Sequence, residues 1–364
     1  MARDASGLPR RRRCDLCGVP GRSGMSGVAM QRVGPMCSVP AVAESFGHRI
    51  EPVLEAAGLP HDALNNPDNL LPFSKVGEIL EAAARLCECP HFGLLVGARN
   101  DHKGLGPVGQ LMAHAPTLGD AIIDFTSNQH RNSRGAVVYL MRVLDSYFFG
   151  YAIYNRFAEG SRHIYDLCAA IGVNTVRELA GPAAAPLEVL ICHQPPGDRR
   201  PYRAILGPNV SFNQAQTALV LSPAHLKLPV LGADREMHAK LAARVAELRS
   251  MGTLDFASHV RHLLKPKLLL GQASREGIAK QVGTHVRTLQ RRLREASTTY
   301  RELEQQMRFS VACELLEITD LQISDISAAL DYASPSAFDR AFSRWTGLTP
   351  TNWRDQRIRE QKSA

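Results

Sequence analysis

Apolar positions along this chain change period as it runs. Val76, Ile79, Leu80 and Ala83 fall three and four apart, which predicts a helix over Lys75–Cys87 with one face inward. A second helix is expected over Asp120–His130. Val137–Val143 and Tyr147–Tyr154 are rich in β-branched and aromatic residues and flank Leu144-Asp145-Ser146, the pattern of a hairpin. A helix over His163–Leu179, an alternating strand at Leu187, Val189 and Ile191, and an apolar run at Ala218–Leu221 follow. Elements mixed in this order predict one α+β domain from Val39 to about Val230. Gly232–Arg249 is charged, with Met237, Leu241, Val245 and Leu248 at helical spacing, as in a connector helix. After Asp255 only the helical period remains.

Residues 1–38 are rich in Gly, Arg, Ser and Pro without apolar periodicity, which predicts a disordered leader. Met25, Met30 and Met36 leave the true start open. At 364 residues the chain has room for two or three domains. Its net charge of +8 is unevenly placed. Residues 1–35 hold seven arginines against Asp4 and Asp15, a net +5. Residues 251–364 hold seventeen basic and thirteen acidic residues, a net +4, so the middle is left at −1. Local placement therefore has to identify the partner, not total charge. No apolar run reaches the ~18 residues a membrane span needs, and no apolar segment follows the basic N-terminus as a secretory signal requires. Eight cysteines without framework spacing suit a reducing cytoplasm.

Three short motifs carry little chemistry. Lys103-GLGPVG-Gln110 spells a dinucleotide-loop glycine pattern, but it follows polar ARNDHK and contains Pro107, so a plain loop is expected. Cys14-Asp-Leu-Cys17 is a single thiol pair where zinc needs about four ligands. Cys87 of Cys87-Glu-Cys89-Pro-His91 fits the buried face of its helix. No H-E-x-x-H, G-x-S-x-G or Walker sequence exists, so neither an enzyme nor a bound cofactor or metal is expected.

The last hundred residues are more specific. Val286, Leu289 and Leu293 make an apolar stripe, while Arg287, Gln290, Arg291 and Arg294 share a different face of the same helix. Arginine can bond guanine bidentately, glutamine can do so to adenine, and either can bond phosphate. A short helix at Ser274–Val282, with Ile278 and Ala279 inward, precedes it across the turn Val282-Gly283-Thr284. Helix, glycine turn and basic helix form the helix-turn-helix arrangement. The unit recurs. Ile278 falls on Ile326 at an offset of 48, while Leu289, Arg291 and Leu293 fall on Phe338, Arg340 and Phe342 at 49. Ser334-Pro335 supplies an N-cap and first-turn pair for the second basic helix. Between the copies, Thr299–Glu317 forms one helix with Leu303, Met307, Val311 and Leu315 at four-residue steps. Nineteen residues span roughly 28 Å, near the ~34 Å between successive major-groove faces.

RTLQRRL (Arg287–Leu293), MRFSVACELL (Met307–Leu316) and ISDISAALDYASPSAFDRAFSRWTGLTP (Ile323–Pro350) resemble the DNA-binding domain of the AraC/XylS family of bacterial transcription regulators. That resemblance covers residues 255–356. It implies a seven-helix, double helix-turn-helix module on promoter DNA, with Arg287, Gln290 and Arg291 facing bases in the first half and Ser336, Ala337 and Arg340 in the second. Two positions depart from the family pattern. His285 stands where a capping serine is usual, so the cap must shift to Thr284 or weaken, and Asp331 stands where a turn glycine is usual. Asp339 adds a carboxylate to the second face that repels phosphate, so the second half should contribute less affinity. The middle region, in HFGLLVGARNDHKGLGPVGQLMAHAPTLGDAI and NVSFNQAQTALVLSPAHLKLPV, resembles the arabinose-binding-type effector domain of the family branch of the ornithine-utilisation regulator.

The chain thus reads as an α+β effector or oligomerisation domain at 39–230, a helical connector at 231–254, an all-α double helix-turn-helix DNA-binding domain at 255–356 and a tail at 357–364. The expected partners are double-stranded promoter DNA, a small-molecule effector, a second copy of the chain, and RNA polymerase if it activates. A ligand-independent dimeric DNA binder is the main alternative. A DNA-repair alkyl acceptor docking through the same module is the other.

Overall fold

The computed structural model describes residues 28–129, 132–250 and 256–362. The leader is shorter than its composition suggests. Met30–Arg32 forms strand β1, antiparallel to β2 at Leu70–Pro72, and Val33 and Met36 are buried behind it. Arg32 reaches Asp68 at 2.5 Å and Gly104 O at 3.1 Å, so it too belongs to the fold. Three paired residues and two apolar side chains are too short a signal to stand out from a Gly- and Arg-rich stretch. Residues 1–27, with Cys14 and Cys17, lie outside the described residues.

The main sheet comprises β3 (Ala136–Val143), β4 (Ser146–Ile153), β5 (Glu188–Leu190), β6 (Val210–Ser211) and β7 (Thr217–Leu221), in the order β3-β4-β7-β5-β6. All neighbours are antiparallel except the β5–β6 pair. The expected hairpin closes Val143 against Ser146, with exposed Leu144 at φ 52°. Successive side chains on β3 go to opposite faces. Val138 and Leu140 join a core with helices Leu118–Asn128 and Ser161–Ala180, while Val137, Tyr139 and Met141 join a core with the C-terminal helices. Burial on both faces explains why β3 reads as a continuous apolar run rather than an alternating one.

Six helices escaped the periodicity reading: Val39–Ser45, Glu51–Ala56, Phe92–Ala98, Pro107–Ala113, Arg200–Leu206 and Pro223–Leu226. None exceeds two turns, too short for a 3.6-residue period to declare itself. Phe92–Ala98 lies against Ser161–Ala180 at glycine distance. A Cβ on Gly93 would sit 2.2 Å from His163 O, and one on Gly97 would sit 2.4 Å from Leu167 O. The GLGPVG stretch is no plain loop, because Pro107 opens a helix inside it, and the element before it is helix rather than strand. Cys87 is buried, as its spacing predicts.

The connector is the helix Arg235–Ser250. It is tied to the N-terminal domain through His238, whose Nε2 lies 2.7 Å from Asp124 Oδ2. Its expected stripe is uneven, with Val245 buried but Met237 40% exposed, because the polar tie at His238 sets which side faces inward. The side chain of Leu248 lies outside the described residues.

From Phe256 onward the described residues form seven helices: Phe256–Leu269, Arg275–Gln281, Val286–Glu295, Tyr300–Ile318, Ile323–Ala329, Pro335–Thr346 and Pro350–Lys362. The stretch 357–362 is not a tail, because the last helix runs through it and Gln361 Nε2 donates to Glu317 Oε1 at 3.0 Å. The seven helices build two cores. Val260, Leu264, Ile278, Leu289, Leu293 and Leu303 make the first. Phe309, Leu316, Ile326, Phe338, Phe342 and Trp353 make the second, together with Val137, Tyr139, Met141 and Ala152 of the sheet. The sheet is thus a middle layer, with the second half of the helical region as one of its covers.

Candidate nucleic-acid interface

The two helix-turn-helix units share a backbone device. Gly283 sits at φ 66° and Asp331, 48 positions on, at φ 59°. Each follows a short helix with one buried face, Ile278 and Ala279 in the first and Ile326, Ser327 and Ala329 in the second, and reverses the chain toward the next helix. Asp331 holds this left-handed conformation despite its Cβ. The second turn is braced by Arg308 of the linker helix Tyr300–Ile318. Its guanidinium donates to Leu330 O, lies 5.9 Å from the Tyr332 ring, and pairs with Glu304 at 2.9 Å. One extra residue, Ala333, separates the second turn from its helix, which is why the repeat offset steps from 48 to 49.

The caps differ. Ser334 Oγ accepts from Ala337 N–H at 3.2 Å, and Pro335 opens the second basic helix. His285 is the N-cap of the first and makes no side-chain cap bond, so that cap is lost rather than moved to Thr284. The linker helix carries a full capping box, with Thr299 Oγ1 accepting from Glu302 N–H and Glu302 accepting from Thr299 N–H at 2.8 Å.

On the first basic helix, Leu289 and Leu293 are fully buried, Arg287, Arg291 and Arg294 are exposed, and Gln290 is half-buried. Arg291 pairs with Glu295 at 3.3 Å across one turn, a contact that both partners make in solvent. Arg292 leaves this face and lies 5.4 Å from the Phe256 ring. On the second, Phe338 and Phe342 are buried, Ser336 and Arg340 are exposed, and Ala337 and Asp339 are half-buried. Arg287, Arg294 and Arg340 have no ion-pair partner among the described residues. Guanidinium groups on exposed helix faces, with apolar residues holding the opposite sides, form a surface that can meet phosphates and base edges.

Three groups at the domain boundary had almost no sequence signal. Glu314, buried on the linker helix, accepts from Tyr154 Oη at 2.9 Å and pairs with Lys265 at 2.8 Å. Arg156 pairs with Asp320 at 2.6 Å, and Asp320 N–H donates to Ala215 O at 2.8 Å. A buried acid inside the apolar run VACELL was the one available hint, and it could not reveal a partner 160 positions away.

Two spaces flank Tyr151 and Thr217. One is an apolar cavity of about 90 Å³, lined by Phe73, Phe125, Phe149, Leu167 and Leu219 and by no charged side chain. Asn132 Nδ2 and Thr175 Oγ1 line it without hydrogen-bond partners. The other is a polar pocket of about 190 Å³ containing Arg156, Arg162, His193, Gln216 and Asp320. Six cysteines of the described residues are thiols, and burial pushes Cys168 up to about 12 and Cys192 up to about 11. Among the described residues no helix is long and apolar enough to cross a membrane.

Paired helix-turn-helix units beside an α+β domain define a DNA-binding transcription regulator. Residues 47–230 match the family model described as the arabinose-binding domain of AraC transcription regulator, N-terminal, and residues 278–356 match a helix-turn-helix domain. The chain belongs to the AraC family of transcription regulators. It is 29% identical over 308 residues to the HTH-type transcriptional regulator VirS of Mycobacterium tuberculosis, covering 83% of this chain and 90% of that protein. It is 26% identical over 319 residues to the ornithine utilization regulator of Pseudomonas aeruginosa, covering 85% and 92%. A solved structure of the transcriptional regulator CdpR from Pseudomonas aeruginosa aligns at a TM-score of 0.42 with 22% identity, over 86% of this chain and 97% of that one.

Proposed function

We propose that Arg287, Gln290, Arg291 and Arg294 read one stretch of major groove and that Ser336, Ala337 and Arg340 read the next. Phosphate contacts supply most of the affinity, and the two faces select sequence. The observation that carries this reading is the repeated turn. Gly283 and Asp331 share a positive φ at a 48-residue spacing, each ahead of a helix with exposed arginine and buried apolar sides. A small-molecule effector held by the N-terminal domain biases the arrangement. The second unit is the natural receiver, because it shares a core with the sheet while the first does not.

Nuclease protection on genomic fragments tests the reading. Two protected patches about one helical turn apart, on one side of the duplex, are expected. A single patch, or none on any fragment, refutes it. On tandem sites two chains are expected to pair, and at activated promoters the outer chain would touch RNA polymerase. Sedimentation of the chain on one-site and two-site DNA reads the pairing.

A further inference from the structure

The polar pocket of about 190 Å³ lies where the N-terminal domain meets the DNA-binding helices. Arg156 follows β4, Arg162 and Ser161 belong to the first turn of Ser161–Ala180, Gln216 precedes β7, and Asp320 follows the linker helix. No side chain caps the first turn of Ser161–Ala180, whose Ser161 N–H donates to Ala158 O at 3.2 Å, and Ser161 and Arg162 of that turn line the pocket. Gln216 is 3% exposed and its Oε1 accepts from Tyr139 Oη at 2.6 Å. Its Nε2 is left without a partner while lining the pocket. A buried amide donor with no acceptor costs free energy that an acceptor would recover.

Charge points the same way. Arg162 has no ion-pair partner among the described residues. Arg156 pairs with Asp320, a carboxylate that is 55% exposed, and lies 5.4 Å from the Phe157 ring. Arg354, which donates to Leu316 O and Leu321 O, lies close enough to Arg156 to feel its like charge. His193 is held from behind by buried Asp166 at 2.9 Å, whose other oxygen accepts from Tyr202 Oη at 2.6 Å, so its imidazole is already committed. The lining itself therefore carries two guanidinium groups against the one acid Asp320, with the Asp166 carboxylate set behind His193. The neighbouring apolar cavity has no charged side chain and cannot match an anion.

We propose that this pocket is the effector site and takes a small molecule bearing a carboxylate. The anion sits on Arg162 and the Gln216 amide, and draws Arg156 away from Asp320. Arg156–Asp320 is an ion pair between the N-terminal domain and the segment leading into the second reading unit. Asp320 is 55% exposed while Arg156 is 17% exposed, so solvent screens the acid more than the guanidinium, and a ligand carboxylate held by two guanidinium groups competes with it. Asp320 then keeps its backbone bond to Ala215 O and the nearby charge of Arg354 but loses its ion pair to the N-terminal domain, and the second unit is freed from one of its anchors. The regulatory consequence rests on the DNA-reading function above; the binding site does not.

Calorimetric titration of the full-length protein, without DNA, with sodium propionate against isosteric propionamide tests the site. Saturable propionate binding in the millimolar range and no binding of propionamide are expected. Asp320→Asn should tighten propionate about two- to fivefold by removing the competing acid. Arg162→Ala should weaken it tenfold or more, and Gln216→Glu, which keeps the Tyr139 acceptor but adds a like charge, should abolish it. Equal binding of acid and amide, a response that tracks ionic strength alone, or unchanged affinity in Asp320→Asn and Gln216→Glu overturns the proposal. Inorganic phosphate binding where propionate does not overturns the carboxylate assignment. Because the titration contains no DNA, its failure leaves the DNA-reading function standing.

Discussion

Tyr154 Oη donates to Glu314 Oε1 at 2.9 Å, joining the residue after β4 to the middle of the helix that links the two reading units. Glu314 is 5% exposed and also holds Lys265 at 2.8 Å. Burial raises the Tyr154 hydroxyl pKa, so it stays a donor at any physiological pH. Tyr154→Phe should cost about 1 kcal/mol, and Glu314→Ala about 1–3 kcal/mol, discounted because Lys265 is a third exposed. A double-mutant cycle in urea should return a coupling of roughly 0.5–1.5 kcal/mol. Zero coupling would mean the two domains do not communicate through this bond.

Base reading by the arginine faces predicts unequal losses. Arg291→Ala should cost about 1–3 kcal/mol on the target site and much less on scrambled DNA. Arg340→Ala should cost less than Arg291→Ala, because Asp339 beside it repels phosphate, and Asp339→Asn should raise affinity. Fluorescence anisotropy at fixed salt measures all three. Equal losses on both sequences would place Arg291 on phosphate instead.

The two basic helices should answer oppositely to cap mutations. His285→Ser restores a missing side-chain cap and should stabilise by about 0.5–1 kcal/mol, while Ser334→Ala removes one and should cost ~1 kcal/mol. Asp331→Gly relieves a positive φ and should add up to ~1 kcal/mol. Shifts in thermal midpoint under fixed buffer report each sign.

Acid should weaken the N-terminal domain before it affects the rest. His163 has no exposed surface, and burial, aided by nearby Arg162, lowers its pKa to about 4. An unfolded histidine takes its proton near pH 6.5, the folded one only near 4. Stability from this residue is therefore complete above about pH 6.5 and falls as pH drops toward 4, by on the order of 3 kcal/mol. Burial lowers His91 and His102 in the same direction. The urea midpoint should fall from pH 7 to pH 4.5, and His163→Gln should flatten that slope. An unchanged slope in His163→Gln would show that His163 does not carry the effect.

What the sequence determined by itself is whatever depends on neighbours within about fifty positions. The 48-residue repeat put an identical turn at Gly283 and Asp331, the 3.6-residue period separated Leu289 and Leu293 from the arginines, and Ser334-Pro335 marked a helix start. Each is a local relation, set by backbone geometry and side-chain periodicity. Short helices such as Phe92–Ala98 and the paired strand Met30–Arg32 stayed hidden because two turns or three residues cannot establish a period. The packing of the β3 face onto the second reading unit, the Tyr154–Glu314 bond and the meeting of Arg156, Arg162, Gln216 and Asp320 around one pocket were decided only in three dimensions. Those residues come from separate stretches of chain. Burial and charge, which bring them together, act on distance through space and leave no spacing along the sequence to read.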